Sequence, residues 1–260
     1  MKSKKYVAVL LALIICSGSP FAQEYKVSVQ NTKDGKLVLN DFYGELPIEG
    51  YAGNEIIISS TSDRFEQPPP QAKGLKPIYA AGTDNTGLAL RVEKNGNQVT
   101  VQCLLPITSG GASYKIRVPE NFSIQVKSEC SRSNDVSIQN TKNEIEVNVC
   151  HSIKVKNVTG PLVLSNISGD INVVFSDINK DKPISIASVS GDIDVTVPAK
   201  TPVDLEMSTV SGNMYSDFEL QADNKSLHRI GGNTINSKLN GGGTDIKIHN
   251  VSGNIYLRKG

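Results

Sequence analysis

The stretch VSGDIDVTVP, residues 189–198, decides the fold, because its first five residues return along the chain. They return as ISGDI at 167–171, VSGNM at 210–214 and VSGNI at 251–255. The motif glycines Gly169, Gly191, Gly212 and Gly253 stand 22, 21 and 41 residues apart, so the last interval is close to two units. IGGNTI, residues 230–235, reads as a degraded copy inside it. Each unit carries a glycine turn and two short β runs, such as 183–187 and 193–197, and a period of about 21 residues of this kind marks a chain wound into stacked coils. Successive coils are expected to stack in chain order and to pair in parallel, with strands about 4.8 Å apart.

Each motif position then takes a structural meaning. The first residue (Ile167, Val189, Val210, Val251) and the fifth (Ile171, Ile193, Met214, Ile255) are apolar in every copy, and both are expected to point inward. Glycine at the third position supplies a turn that a side chain would resist. Ser on one side and Asp or Asn on the other are short enough to bond backbone groups in that turn.

Outside the repeats the same β character continues. Alternating runs fall at 25–29, 36–39, 55–58, 88–92, 98–102, 114–118, 123–127, 136–139, 144–149 and 152–156, bounded by Gly, Asn, Asp and Pro. No window shows an apolar stripe at helical spacing. The expectation is an all-β chain, a single-stranded β-helix or β-solenoid. DRFEQPPPQAKGLKP, 63–77, is too proline-rich for a ladder and reads as a surface loop. The glycines Gly241, Gly242 and Gly243 precede a last strand pair, which is expected to close the stack and cover its open edge.

Residues 1–22 have the layout of a secretory signal peptide: a basic start at Lys2, Lys4 and Lys5, an apolar run over 6–15 and a small-residue exit. That run is about ten residues, half of what a membrane-crossing helix needs, so no transmembrane segment is expected. Residues 23–260 then form a single domain, exported to the periplasm, the cell surface or the medium. Cys16 sits where a lipoprotein would carry its lipid, but the large Ile15 before it argues against lipidation. Without residues 1–22 the chain has 24 basic and 26 acidic side chains, a balance that gives nucleic acid no electrostatic footing. Cys103, Cys130 and Cys150 remain, and an odd count leaves one thiol out of any single bridge. Three pairings are open; Cys130 with Cys150, nearest in sequence, is favoured over buried thiols.

The chemistry-bearing residues are few. His151, His228 and His249 are scattered and match no metal spacing, and no nucleophile elbow or phosphate loop is present. Asp177, Asn179 and Asp181 alternate as in the start of a calcium loop, but the glycine and distal glutamate are missing, so a plain turn is expected. No cofactor or metal is expected. Coil stacking would place Asp170 and Asp192 at one motif position on neighbouring coils, about 5 Å apart. Such a pair can share a proton or a cation and act on a sugar, or it can do no more than satisfy turn backbone; Asn in the other two copies favours the second. Tyr215 and Tyr256 follow their motif copies by the same offset.

LVLNDFYGELPIEGYAGNEIIIS, DNTGLALRVEKNGNQVTV, YKIRVPENFSIQV, the VSGDIDVTVPAKTPVDLEM unit and LNGGGTDIKIHNVSGNIYLRKG together resemble the bacterial putative-adhesin family of exported β-helix-like domains. The resemblance implies a repetitive β-solenoid at the cell envelope and gives no catalytic residues to carry over. The expected role is a non-enzymatic, adhesin-like or scaffold protein holding an envelope component, protein or glycan. The alternatives are a polysaccharide-active β-helix enzyme and a chain that self-associates through an uncapped coil edge.

Overall fold

The computed structural model describes residues 23–60, 69–109, 112–132, 135–180, 182–220 and 233–260. The expected signal peptide with Cys16, the first part of the proline-rich loop, and His228 lie outside them.

Twenty of the strands form two ten-stranded sheets. Across the first sheet the order is β1 (Gln23–Ser28), β4 (Glu55–Ser60), β9 (Tyr114–Pro119), β3 (Leu46–Tyr51), β11 (Val136–Gln139), β13 (Ile153–Val158), β15 (Ile171–Phe175), β17 (Ile193–Val197), β22 (Ile255–Lys259) and β19 (Met214–Ser216). Across the second it is β20 (Asn233–Leu239), β18 (Val203–Ser211), β21 (Thr244–Ser252), β16 (Ile184–Ser190), β14 (Leu162–Ser168), β12 (Ile145–Asn148), β10 (Ser123–Lys127), β2 (Lys36–Asn40), β8 (Gln98–Cys103) and β7 (Leu90–Asn95). A small hairpin of β5 (Ile78–Tyr79) and β6 (Gly82–Thr83) stands apart. No α-helix occurs among the described residues, and no helix there is long and apolar enough to cross a membrane.

From β10 to β19 the chain alternates between the sheets, so a coil has two strands. Neighbouring coils pair in parallel with apolar residue on apolar residue: Ile138 on Val155, Val155 on Val173, Val173 on Val195. These steps span 17, 18 and 22 residues, so the coil tolerates loops of different length while its register holds. Inward residues of both sheets, such as Ile153, Val155, Ile193, Val195, Leu164, Ile186 and Ile248, belong to one apolar core. Complete burial of each such aliphatic side chain contributes about 1.5–3 kcal/mol.

Coil order departs from chain order at both ends. The β21–β22 coil lies between the β16–β17 coil and the β18–β19 coil, pairing in parallel with each. Likewise β2–β3 lies between β8–β9 and β10–β11. The expectation that the last strand pair closes the stack is therefore wrong: β21 and β22 are interior. Composition gives the reason. In β22 both Ile255 and Leu257 are buried, whereas β19 offers only a half-buried Met214 before Tyr215 and Ser216, and suits an edge. The proposed repeat at 230–235 also fails: residues 230–232 lie outside the described residues, and Asn233–Leu239 is an antiparallel edge strand on β18. Other rims are covered by antiparallel strands too, β4 then β1 on the first sheet and β7 on the second. Arg91, Glu93 and Lys94 on β7 and Lys26 on β1 put charge on those rims, which disfavours pairing with a further chain.

Candidate functional site

The four motif copies meet at one corner of the stack, where the chain passes from the second sheet to the first. Their order there is Gly169, Gly191, Gly253, Gly212, as the intercalated coil requires. Gly191 and Gly253 have φ of +124° and +129°, and an added Cβ on either would collide with the backbone carbonyl of the preceding motif glycine in the column. Gly212 meets the carbonyl of Gly253 in the same way, and Gly169 meets Ser152. Backbone conformation and close approach thus both demand glycine.

The fourth motif position forms a side-chain ladder. Asp170 Oδ1 accepts the backbone N–H of Asp192 at 2.9 Å, Asp192 Oδ1 that of Asn254 at 2.8 Å, and Asn254 Oδ1 that of Asn213 at 3.0 Å. Asp135 Oδ1 makes the same kind of bond two coils earlier, on the N–H of Ser152. Meanwhile the carbonyls of Asp192, Asn254 and Asn213 accept from Ile171, Ile193 and Ile255. Both Asp and Asn present an Oδ1, which accounts for their interchange along the column. Asp170 and Asp192 do lie on neighbouring coils, but each spends an oxygen on turn backbone. The space between the sheets behind them is apolar core.

One motif position is reversed from its expectation. Ile167, Val189, Val251 and Val210 point outward, 51%, 48%, 37% and 55% exposed, and stand side by side in stacking order. The cause is strand alternation: counted from the inward Leu164, Ile186, Ile248 and Met207, the next inward residues are Asn166, Ser188, Asn250 and Thr209, and the motif's first residue falls on the outer side. Those inward polar residues are buried, and three of them hold the corner from inside. Asn166 Nδ2 donates to the carbonyls of Ser168 and Gly169, Asn250 Nδ2 to that of Gly191, and Thr209 Oγ1 to that of Gly253. Sequence reasoning passed over them, although a polar residue precedes all four copies.

Tyr215 and Tyr256 stack on the outer face of the first sheet, centroids 5.3 Å apart. Arg258 flanks them, gripping both carboxylate oxygens of Asp194 at 2.8 Å, and Asp194 raises its already high pKa. Cys130 and Cys150, in the turns after β10 and β12, are joined by a disulfide with Cα atoms 5.2 Å apart, while Cys103 is a buried free thiol. His249 Nδ1 is 2.8 Å from Ser208 Oγ on the exposed face of the second sheet, and His151 is exposed. Among the described residues no cluster of three or more His, Cys, Asp or Glu could hold a metal. Asp177 Oδ1 accepts the N–H of Ile178, as a turn residue does, and Asp181 lies outside the described residues.

The family model described as Toastrack DUF4097 matches residues 120–258. The chain belongs to the Toastrack DUF4097 family. The matched segment holds all four motif copies and every coil from β10 onward, and the family resemblance seen in the sequence is borne out there. Two solved structures are similar in part: a putative cell adhesion protein from Clostridium sporogenes ATCC 15579, 12% identical over 92% of this chain and 100% of that one with a TM-score of 0.43, and a putative adhesin from Bacteroides fragilis NCTC 9343, 13% identical over 93% and 98% with a TM-score of 0.32. No curated protein matches.

Proposed function

We propose that this Toastrack chain is a non-enzymatic, exported binding solenoid, adhesin-like in that it holds an envelope component on its outer faces. The observation that carries the proposal is the aliphatic row Ile167, Val189, Val251 and Val210. They are 37–55% exposed, and of the other large apolar residues in the described strands only Ile78, Val163, Val174 and Tyr215 are comparably exposed. With strands about 4.8 Å apart, four such residues make an unbroken apolar strip of about 14 Å. Ser168, Ser190, Ser252 and Ser211 run along it as an exposed polar margin. An apolar centre with a polar rim is the arrangement of a protein-binding patch. The acid and base reading of Asp170 and Asp192 loses support, because their ladder bonds are those a turn needs.

Charging the strip tests this. Val189→Asp with Val251→Asp places carboxylates on outward side chains, so the fold is expected to persist, with a melting temperature lowered by about 2–4 °C because the two carboxylates stand side by side. The parent should co-sediment with bacterial envelope preparations and the double variant should remain in the supernatant. Equal retention of both would remove the strip from the function.

A further inference from the structure

A second surface lies on the outer face of the first sheet, away from the motif corner. There Pro47 on β3 and Ser137 on β11 are adjacent in register, and Ser137 is adjacent to Lys154 on β13. One pleat along, Glu49, Gln139 and Lys156 are likewise adjacent. Pro47 and Ser137 in the floor are short and the flanking lysines long, so the sheet carries an open groove of about 400 Å³ with Lys115 on one wall and Lys154 and Lys156 on the other. Three strand steps put the walls about 14 Å apart, and Lys154 and Lys156 follow each other at about 6.6 Å.

The charge is one-sided. Among the described residues Glu49 is the only carboxylate lining the groove, and Lys115 holds it at 3.2 Å. Lys154 and Lys156 are exposed and form no ion pair with any described residue, whereas Lys115 on the opposite wall is paired with Glu49. Arg117, beside Glu49 in register, adds a further cation and lays its guanidinium 4.4 Å above the Tyr51 ring. Two unpaired ammonium groups at a polymer-like spacing, over a floor bearing the Ser137 hydroxyl and the Gln139 amide, match a ligand with repeated anionic groups on a hydroxyl-rich chain.

We infer that this groove binds a segment of an acidic glycan, with Lys154 and Lys156 on its anionic groups and Ser137 and Gln139 on its hydroxyls. The inference rests on the binding-solenoid reading and names a ligand class for it, at a site separate from the aliphatic strip. The volume lies in the range of small-molecule sites and takes one or two sugar rings, while the open ends let a longer chain pass. A nucleic acid strand is the poorer match: no aromatic ring among the described residues lines the groove for bases to stack on, and the nearby Tyr51 is covered by Arg117.

Titration of residues 23–260 with polygalacturonate, heparin, neutral dextran and a single-stranded DNA oligonucleotide tests the inference. Binding of polygalacturonate or heparin with none of dextran is expected, polygalacturonate binding identifying carboxylate as the recognised anion and binding of heparin alone identifying sulfate. Lys154→Glu with Lys156→Glu should weaken that binding at least about tenfold, and the milder Lys154→Gln with Lys156→Gln should weaken it less, with melting temperatures unchanged. Failure of both acidic glycans to bind, equal binding by the charge-reversed variant, or tighter binding of the oligonucleotide would overturn it. If the parent protein is still retained on envelope preparations in that case, the groove assignment alone falls; if it is not, the binding-solenoid reading falls with it.

Discussion

Gly191 carries two constraints at once, a φ of +124° and a backbone carbonyl where its Cβ would be. Gly191→Ala is therefore expected to cost about 3 kcal/mol or more, measured by denaturant unfolding, because neither the conformation nor the neighbouring carbonyl can yield cheaply. Asp192 is different. Its Oδ1 is an acceptor that asparagine also supplies, so Asp192→Asn should fall within about 0.5 kcal/mol of the parent while Asp192→Ala loses about 1 kcal/mol by leaving the Asn254 N–H without its partner. Equal losses for the two would dismiss the ladder. The turn glycines and the Asp or Asn beside them were legible in the sequence, since the motif repeats them. The inward Asn166, Ser188, Thr209 and Asn250 were not, because the apolar residue that follows each drew the core assignment to itself. Buried titratable groups make a further residue-scale prediction. Burial pushes the Cys103 thiol up, and burial followed by the neighbouring Cys103 pushes the Tyr114 hydroxyl far above its usual range, where it donates to the Leu88 carbonyl at 2.7 Å. Both stay protonated in the folded chain when the unfolded chain ionises them, so the unfolded state binds fewer protons at alkaline pH. Stability should hold through neutrality and decline as pH rises past about 8.5, and further past about 10, in melting curves taken across that window.

Strands were the most legible elements, because an alternating run between turn residues states its own period. β3 was missed for a local reason: Pro47 and Gly50 interrupt LPIEGY, although Leu46 and Ile48 are buried on its inner side. What alternation does not encode is the neighbour of each strand. The 41-residue interval between Gly212 and Gly253 looked like two coils but contains an antiparallel edge strand and a re-entry, and only the poor apolar content of β19 and β20 hinted that these belong on the rim. The Cys130 to Cys150 bridge joins the turns that follow β10 and β12, which are adjacent in the second sheet. Closing a loop of 20 residues corresponds to about 3 kcal/mol in the unfolded-chain entropy account. Reduction should thus lower the melting temperature by several degrees, and a Cys130→Ser with Cys150→Ser variant should melt at the reduced value whether or not reductant is present.

At the scale of the whole molecule the repeat answers a need of architecture first. Stacking like on like lets a short pattern, glycine, Asp or Asn, then an inward aliphatic, be satisfied coil after coil through the same contacts. The proposed function rests on what the stack displays outward: the aliphatic strip at the corner is written in the motif's first residue, which the sequence makes look like core, and the cationic groove forms no motif because it draws residues from several coils. The intercalated order assembles both surfaces. It brings Val251 between Val189 and Val210, where chain order would have set Val189 against Val210 directly. Paired cysteines test that order most directly. Thr196 and Arg258 are adjacent outward positions on β17 and β22, whereas stacking in chain order would set Asp194 of β17 beside Tyr215 of β19. Mild oxidation of Thr196→Cys with Arg258→Cys should form a cross-link in the folded protein, and Asp194→Cys with Tyr215→Cys should not; cross-linking of the second pair alone would contradict the intercalated solenoid.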